Sequence, residues 1–122
     1  MASFRVAVYN AISARGLERF PARHYAVGKA IGEPDAILLR SHALVESEVA
    51  ATVKAIGRCG TGVNNIPVEA MSRRGVPVFN APGANANAVK ELVLAALLAS
   101  ARNLVPAAAY VQGLAQIGRA HV

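Results

Sequence analysis

Tryptophan is absent, and three Phe with three Tyr bring the aromatic residues to only 5% of the chain. Nucleic-acid platforms stack bases on such rings, so this scarcity argues against a base-binding surface. A single cysteine, Cys59, excludes an intrachain disulfide, and no Cys/His cluster has metal-ligand spacing. A reducing cytoplasm is therefore the expected location, and no metal is expected. Long apolar runs are missing too. The longest, "LVLAALLA" from Leu92 to Ala99, is less than half of the roughly 20 residues that span a bilayer, and Lys90, Glu91 and Arg102 flank it. It reads as a buried helix, and no membrane partner is expected. The opening "MASFRVAVYN" does not have the basic and apolar regions of a secretory signal.

Acidic residues are few: seven Asp and Glu stand against thirteen Lys and Arg, a formal net charge of +6. Apart from the pair Arg73–Arg74, the positive residues are scattered singly. Such a distribution attracts small anions and does not track a phosphate backbone, so nucleic acid is not expected as a partner. With 54% hydrophobic and 16% charged residues the chain is of folding composition.

Four apolar runs, "FRVAVYN", "AILLRSH", "VKAIGRC" and "VPVFNAP", read as strands, with "HYAV" as a short fifth. Between them "ISARGLERF", "LVESEVAATV" and "PVEAMSRRG" carry apolar residues at helical spacing, and Gly75 is placed to end the last. Strands alternating with helices predict an α/β fold, a parallel sheet with flanking helices. Beyond Pro82, "GANANAVKELVLAALLASARNLVPAAAYVQGL" predicts one long helix, or two broken before Pro106, capped by Asn85 or Asn87. Its middle is apolar on every side and asks for a covering partner.

The stretch "IGRCGTGVNNIP", Ile56 to Pro67, resembles a phosphate loop, but the dinucleotide pattern needs a third small residue where Asn65 stands. The usual acidic ribose ligand is missing as well. A helix start with Asn65 as cap and Pro67 in its first turn still offers an anion its N–H groups. In a parallel sheet the loops after the strands meet at the carboxyl edge. That edge would gather Arg40, Ser41, Arg58, Thr61, the amides around Gly60 to Val63, and Asn80. Two guanidiniums with amides suit a ligand bearing carboxylate and phosphate; the plainer reading leaves both as solvated surface residues. Cys59 has no histidine near it in sequence and reads as structural. His42 has no identifiable carboxylate to orient it and reads as loop packing, with Glu46 and Glu48 solvated on a helix.

The ordered segments "LLRSHALV", "GRCGTGVNN", "VFNAPGAN" and "KELVL" resemble the N-terminal region of the D-isomer-specific 2-hydroxyacid dehydrogenase family, from about Phe4 to Leu114. The resemblance implies NAD-dependent oxidation of a small hydroxyacid, here 3-phosphoglycerate to 3-phosphohydroxypyruvate in serine synthesis. It makes Arg40, Ser41, Arg58, Gly60, Thr61, Gly62 and Val63 substrate-binding residues. Thr61 would lie by the nicotinamide end, and Asn80 and Asn85 near the cofactor. No catalytic residue is expected here, because the family's dinucleotide fingerprint, arginine, glutamate and histidine would follow downstream in a domain that binds most of the NAD. The implied organisation is a flavodoxin-like substrate lobe over 1–84 and an inter-domain helical segment over 85–115. The parent is expected to be a homo-oligomer.

The closing "QIGRAHV", Gln116 to Val122, is close to a translated sequencing adapter. Residues 116–122 are therefore expected to be a scar, with the natural protein continuing after Ala115 and this shortened chain inactive. Other readings are a dehydrogenase of another D-2-hydroxyacid, or a free-standing flavodoxin-like module that binds an anion.

Overall fold

The structure is a computed structural model that describes residues 4–114, in two compact units that divide between Ala84 and Asn85. The tail read as adapter-derived lies outside the described residues.

The first unit is a five-stranded, all-parallel sheet: β1 (Phe4–Val8), β2 (Tyr25–Gly28), β3 (Ala36–Leu39), β4 (Ala55–Arg58) and β5 (Val78–Phe79), in the order β2-β1-β3-β4-β5. All five expected strands form. Successive side chains of a strand point to opposite faces, and the register aligns Ile37 with Ile56 and Leu38 with Gly57. Ala7, Ile37, Leu39 and Ile56 thus face one core with Leu44, Val49, Val53, Ile66, Ala70, Met71 and Val76. The other face carries a shallow apolar groove of about 360 Å³ lined by Phe4, Phe20, Tyr25, Leu38 and Phe79 among others.

Helical content is lower than the spacing predicted. "ISARGLERF" gives only α1 (Ala14–Leu17), and "LVESEVAATV" gives only a 3-10 turn, Glu46–Glu48. The carbonyls of Val49 and Ala50 explain the second shortfall. Each accepts an N–H from the Arg74 guanidinium at 2.9 Å, while Thr52 Oγ1 donates to Pro34 O at 2.9 Å. Leu44, Val49 and Val53 are buried nonetheless, so the apolar spacing is met by turns. "PVEAMSRRG" does form α2 (Val68–Arg73), ended by Gly75 at φ +70. The N-cap is Pro67 and not Asn65, whose side chain is used elsewhere.

The second unit contains α3 (Ala86–Ala101) and α4 (Leu104–Gln112), bent by 59° at a break before Pro106. Asn103 makes the break in the left-handed region at φ 50, a conformation Asn tolerates. Asn85 is the N-cap of α3 but gives no capping side-chain bond, and Asn87 instead bonds Glu91 and Lys90. No residue of either helix is buried, against the expectation of a buried helix. Among the described residues no single helix is long and apolar enough to cross a membrane.

Candidate functional site

In a sheet of order 2-1-3-4-5 the connections leave β1 and β3 in opposite directions, and the crevice between their carboxyl ends is where ligands bind in open α/β folds. Here that switch point lies between Asn10, just after β1, and Arg40 to His42, just after β3.

The two segments are bonded closely. Asn10 Oδ1 accepts the N–H groups of Arg40, Ser41 and His42 at 3.4, 2.9 and 2.7 Å. Asn10 itself has φ 69. From the other side Asn65 Nδ2 donates to Arg40 O at 3.3 Å and His42 O at 2.7 Å, and Asn65 O accepts the Leu44 N–H at 2.9 Å. The 40–42 backbone is therefore gripped through both its donors and its acceptors, while the Arg40 and Ser41 side chains are exposed.

His42 does have an orienting carboxylate, contrary to the sequence reading. Its Nε2 lies 3.2 Å from Glu48 Oε2, and its ring stacks on Tyr9 with centroids 4.7 Å apart. Glu48 is accordingly not a merely solvated residue. It accepts the Val45 N–H at 2.9 Å, and that bond, with the His42 bond adding, holds its pKa below the ordinary glutamate value.

Arg58 ends β4 in register with Leu39, one residue short of Arg40 on the neighbouring strand. Its guanidinium folds over Gly60, where a Cβ would collide with it. Only glycine leaves that space. The Gly60 N–H is turned to Arg58 O at 2.8 Å, so the contribution of Gly60 is steric and its amide is not free for a ligand. The next loop closes on this one: Ala81 N–H donates to Gly60 O at 2.9 Å and Asn80 Nδ2 to Thr61 O at 2.6 Å. The Thr61 hydroxyl reaches Ala81 O at 3.5 Å. The structure thus brings Arg40, Ser41, Arg58, Gly60, Thr61, Gly62, Val63 and Asn80 to one edge of the first unit. Asn85 belongs to the second unit, and Cys59 is exposed.

The glycine loop does not fit a dinucleotide pyrophosphate. Such a site needs the loop to run directly into a helix N-terminus. Here a turn through Asn64 to Pro67 intervenes, α2 is only six residues long, and the Val68 N–H is already turned to Ile66 O at 2.8 Å. At the start of α2 the Val68 N–H is therefore already engaged. No group of three His, Cys, Asp or Glu able to hold a metal occurs among the described residues.

Sequence reasoning missed Asn10, and it gave Asn65 and Glu48 other roles, a helix cap and a solvated residue. The only local signal was for Glu48, three residues after Val45, whose N–H it accepts.

A family model described as D-isomer specific 2-hydroxyacid dehydrogenase, catalytic domain, matches residues 7–118. The D-3-phosphoglycerate dehydrogenase of Mycobacterium tuberculosis (strain H37Rv) is 44% identical over 82 residues, 65% of this chain but 15% of that protein. The hydroxypyruvate reductase of Thermotoga maritima is 37% identical over 82 residues, 65% of this chain and 27% of the relative. The chain therefore spans only a small part of the length of these curated relatives. The structure of NAD+-bound 3-phosphoglycerate dehydrogenase from Entamoeba histolytica has the same fold, with a TM-score of 0.64 and 23% identity, covering 80% of this chain and 39% of that one.

Proposed function

The chain belongs to the D-isomer specific 2-hydroxyacid dehydrogenase family, and from that premise we propose that it supplies the acid-binding loops of an oxidoreductase acting on 3-phosphoglycerate. The observation that carries this reading is the Arg40–His42 loop, gripped at the β1/β3 crevice with Arg58 on the adjacent strand end. Guanidinium groups form paired, charge-assisted bonds to carboxylate and phosphate alike. A ligand bearing both groups suits the two arginines, and Ser41 adds a hydroxyl. The 44% identity to a D-3-phosphoglycerate dehydrogenase supports the phosphorylated substrate. The likeness to a hydroxypyruvate reductase supports a second reading, an unphosphorylated hydroxyacid.

In this proposal the reaction oxidises the substrate hydroxyl to a ketone, giving 3-phosphohydroxypyruvate, with NAD as the acceptor. The loops of this unit hold and orient the acid, and no residue of the chain is assigned the proton or the hydride. NAD would be bound mainly by further sequence of a longer, homo-oligomeric cytoplasmic protein, consistent with the poor fit of the glycine loop to a pyrophosphate.

Calorimetric titration of the 122-residue protein with 3-phosphoglycerate and with glycerate tests the reading. Saturable binding of 3-phosphoglycerate is expected, tighter than glycerate. It should weaken about tenfold or more in Arg40→Ala, since a charged hydrogen bond contributes about 1.5–3 kcal/mol. Equal affinity for both acids would favour the unphosphorylated substrate. No binding of either acid, or no effect of Arg40→Ala, would overturn the proposal. With NAD and 3-phosphoglycerate together the chain alone is expected to give no NADH absorbance.

A further inference from the structure

Successive backbone N–H groups that converge on one point form a nest, a geometry that ordinarily captures an anion. In this protein the N–H groups of Arg40, Ser41 and His42 form such a convergence, and Asn10 fills it with a neutral amide oxygen. Asn10 is held for this in the left-handed region at φ 69, where Asn and Asp are among the few non-glycine residues at ease. Aspartate would offer the nest a better acceptor, but it would also place a negative charge at the crevice where an acid is to bind.

We propose that Asn10 is a positioning residue for the anion site. Its side-chain oxygen sets the backbone from which Arg40 and Ser41 project, and its lack of charge leaves the crevice attractive to an acid. The proposal rests on the reading of the Arg40–His42 loop as an acid-binding loop. Asn65 closes the loop from the carbonyl side, so the loop carries its conformation before any ligand arrives. Preorganisation of this kind lowers the cost of ordering on binding.

The test pairs amide hydrogen exchange, read by NMR on the ligand-free 122-residue protein, with titration by 3-phosphoglycerate and by inorganic phosphate. In Asn10→Ala the Ser41 and His42 amides should lose protection, and affinity should fall roughly tenfold as the loop loses its set conformation. In Asn10→Asp protection should be kept while affinity still falls roughly tenfold, through the added charge. A merely structural role would leave the affinity of Asn10→Asp unchanged, so wild-type affinity there overturns the proposal. Unchanged exchange in Asn10→Ala overturns it as well. If wild-type protein binds neither anion, the acid-binding reading fails, and exchange alone decides whether Asn10 sets the loop. If Asn10→Ala does not fold, Asn10→Gly, which also tolerates the left-handed backbone, carries the exchange measurement, with loss of Ser41 and His42 protection expected and unchanged exchange overturning the proposal.

Discussion

Gly60 shows how one missing side chain can define a site. Its absent Cβ is the space in which the Arg58 guanidinium lies. Because the colliding atoms are the far end of a flexible side chain, Gly60→Ala should displace Arg58 at little cost to the fold. The expected outcome is a thermal melt close to wild type with weaker binding of 3-phosphoglycerate. A variant that binds normally would show that the folded-over Arg58 does not contribute. At this scale the sequence was legible in which residues stand at strand ends, as for Arg40, Ser41 and Arg58. Asn10 and Asn65 were not legible, because their partners lie 31 and 23 residues away and an asparagine's long-range partner leaves no local pattern. His42 was misread for a related reason: Glu48 was assigned to a helix, and only the 3-10 turn brings its carboxylate back to the ring.

The elements were legible in proportion to how fully their own residues determine them. Buried parallel strands need apolar runs, and each of the five runs read as strands became one. The segment from Leu44 to Val53 had helical spacing but lost the Val49 and Ala50 carbonyls to Arg74, a competitor at the C-cap of α2. Charged groups also tie strand starts together: Asp35 accepts the Arg5 N–H and the Lys54 ammonium, each at 2.8 Å. The Lys54 bond, then the Arg5 bond, hold the Asp35 pKa below the ordinary aspartate value. Glu48 is lowered by the Val45 N–H and by His42. A carboxylate with a depressed folded-state pKa stabilises above its unfolded pKa, roughly 4, and loses that contribution as pH falls through the lower folded value. Melting temperature should therefore drop as pH is taken from about 5 to 3. The double variant Asp35→Asn, Glu48→Gln should show a shallower drop. An identical pH profile in the two proteins would refute the assignment.

Taken whole, the molecule divides its apolar surface unevenly. The first unit has a buried core of its own, whereas in the second Leu92, Leu98 and Val105 are 70%, 67% and 75% exposed. A helix apolar all round needs cover, and contiguous apolar patches favour association. The 122-residue protein is thus expected to self-associate in light scattering, and a chain ending at Ala84 to do so less while melting at a similar temperature. A truncated chain that no longer melts cooperatively would mean that the helices stabilise the sheet unit.

The strand pairings also dictate a tempo. Phe4 meets Tyr25, Val6 meets Ala36, Ala36 meets Ala55 and Ile56 meets Val78, so each ladder joins residues about 20 to 30 positions apart. Non-local parallel pairings are slow to form, whereas helices relax within about a microsecond. During refolding from denaturant the greasy helices of the second unit are therefore present long before the sheet has zipped up, and the yield of native protein should decline as the concentration in the refolding vessel rises.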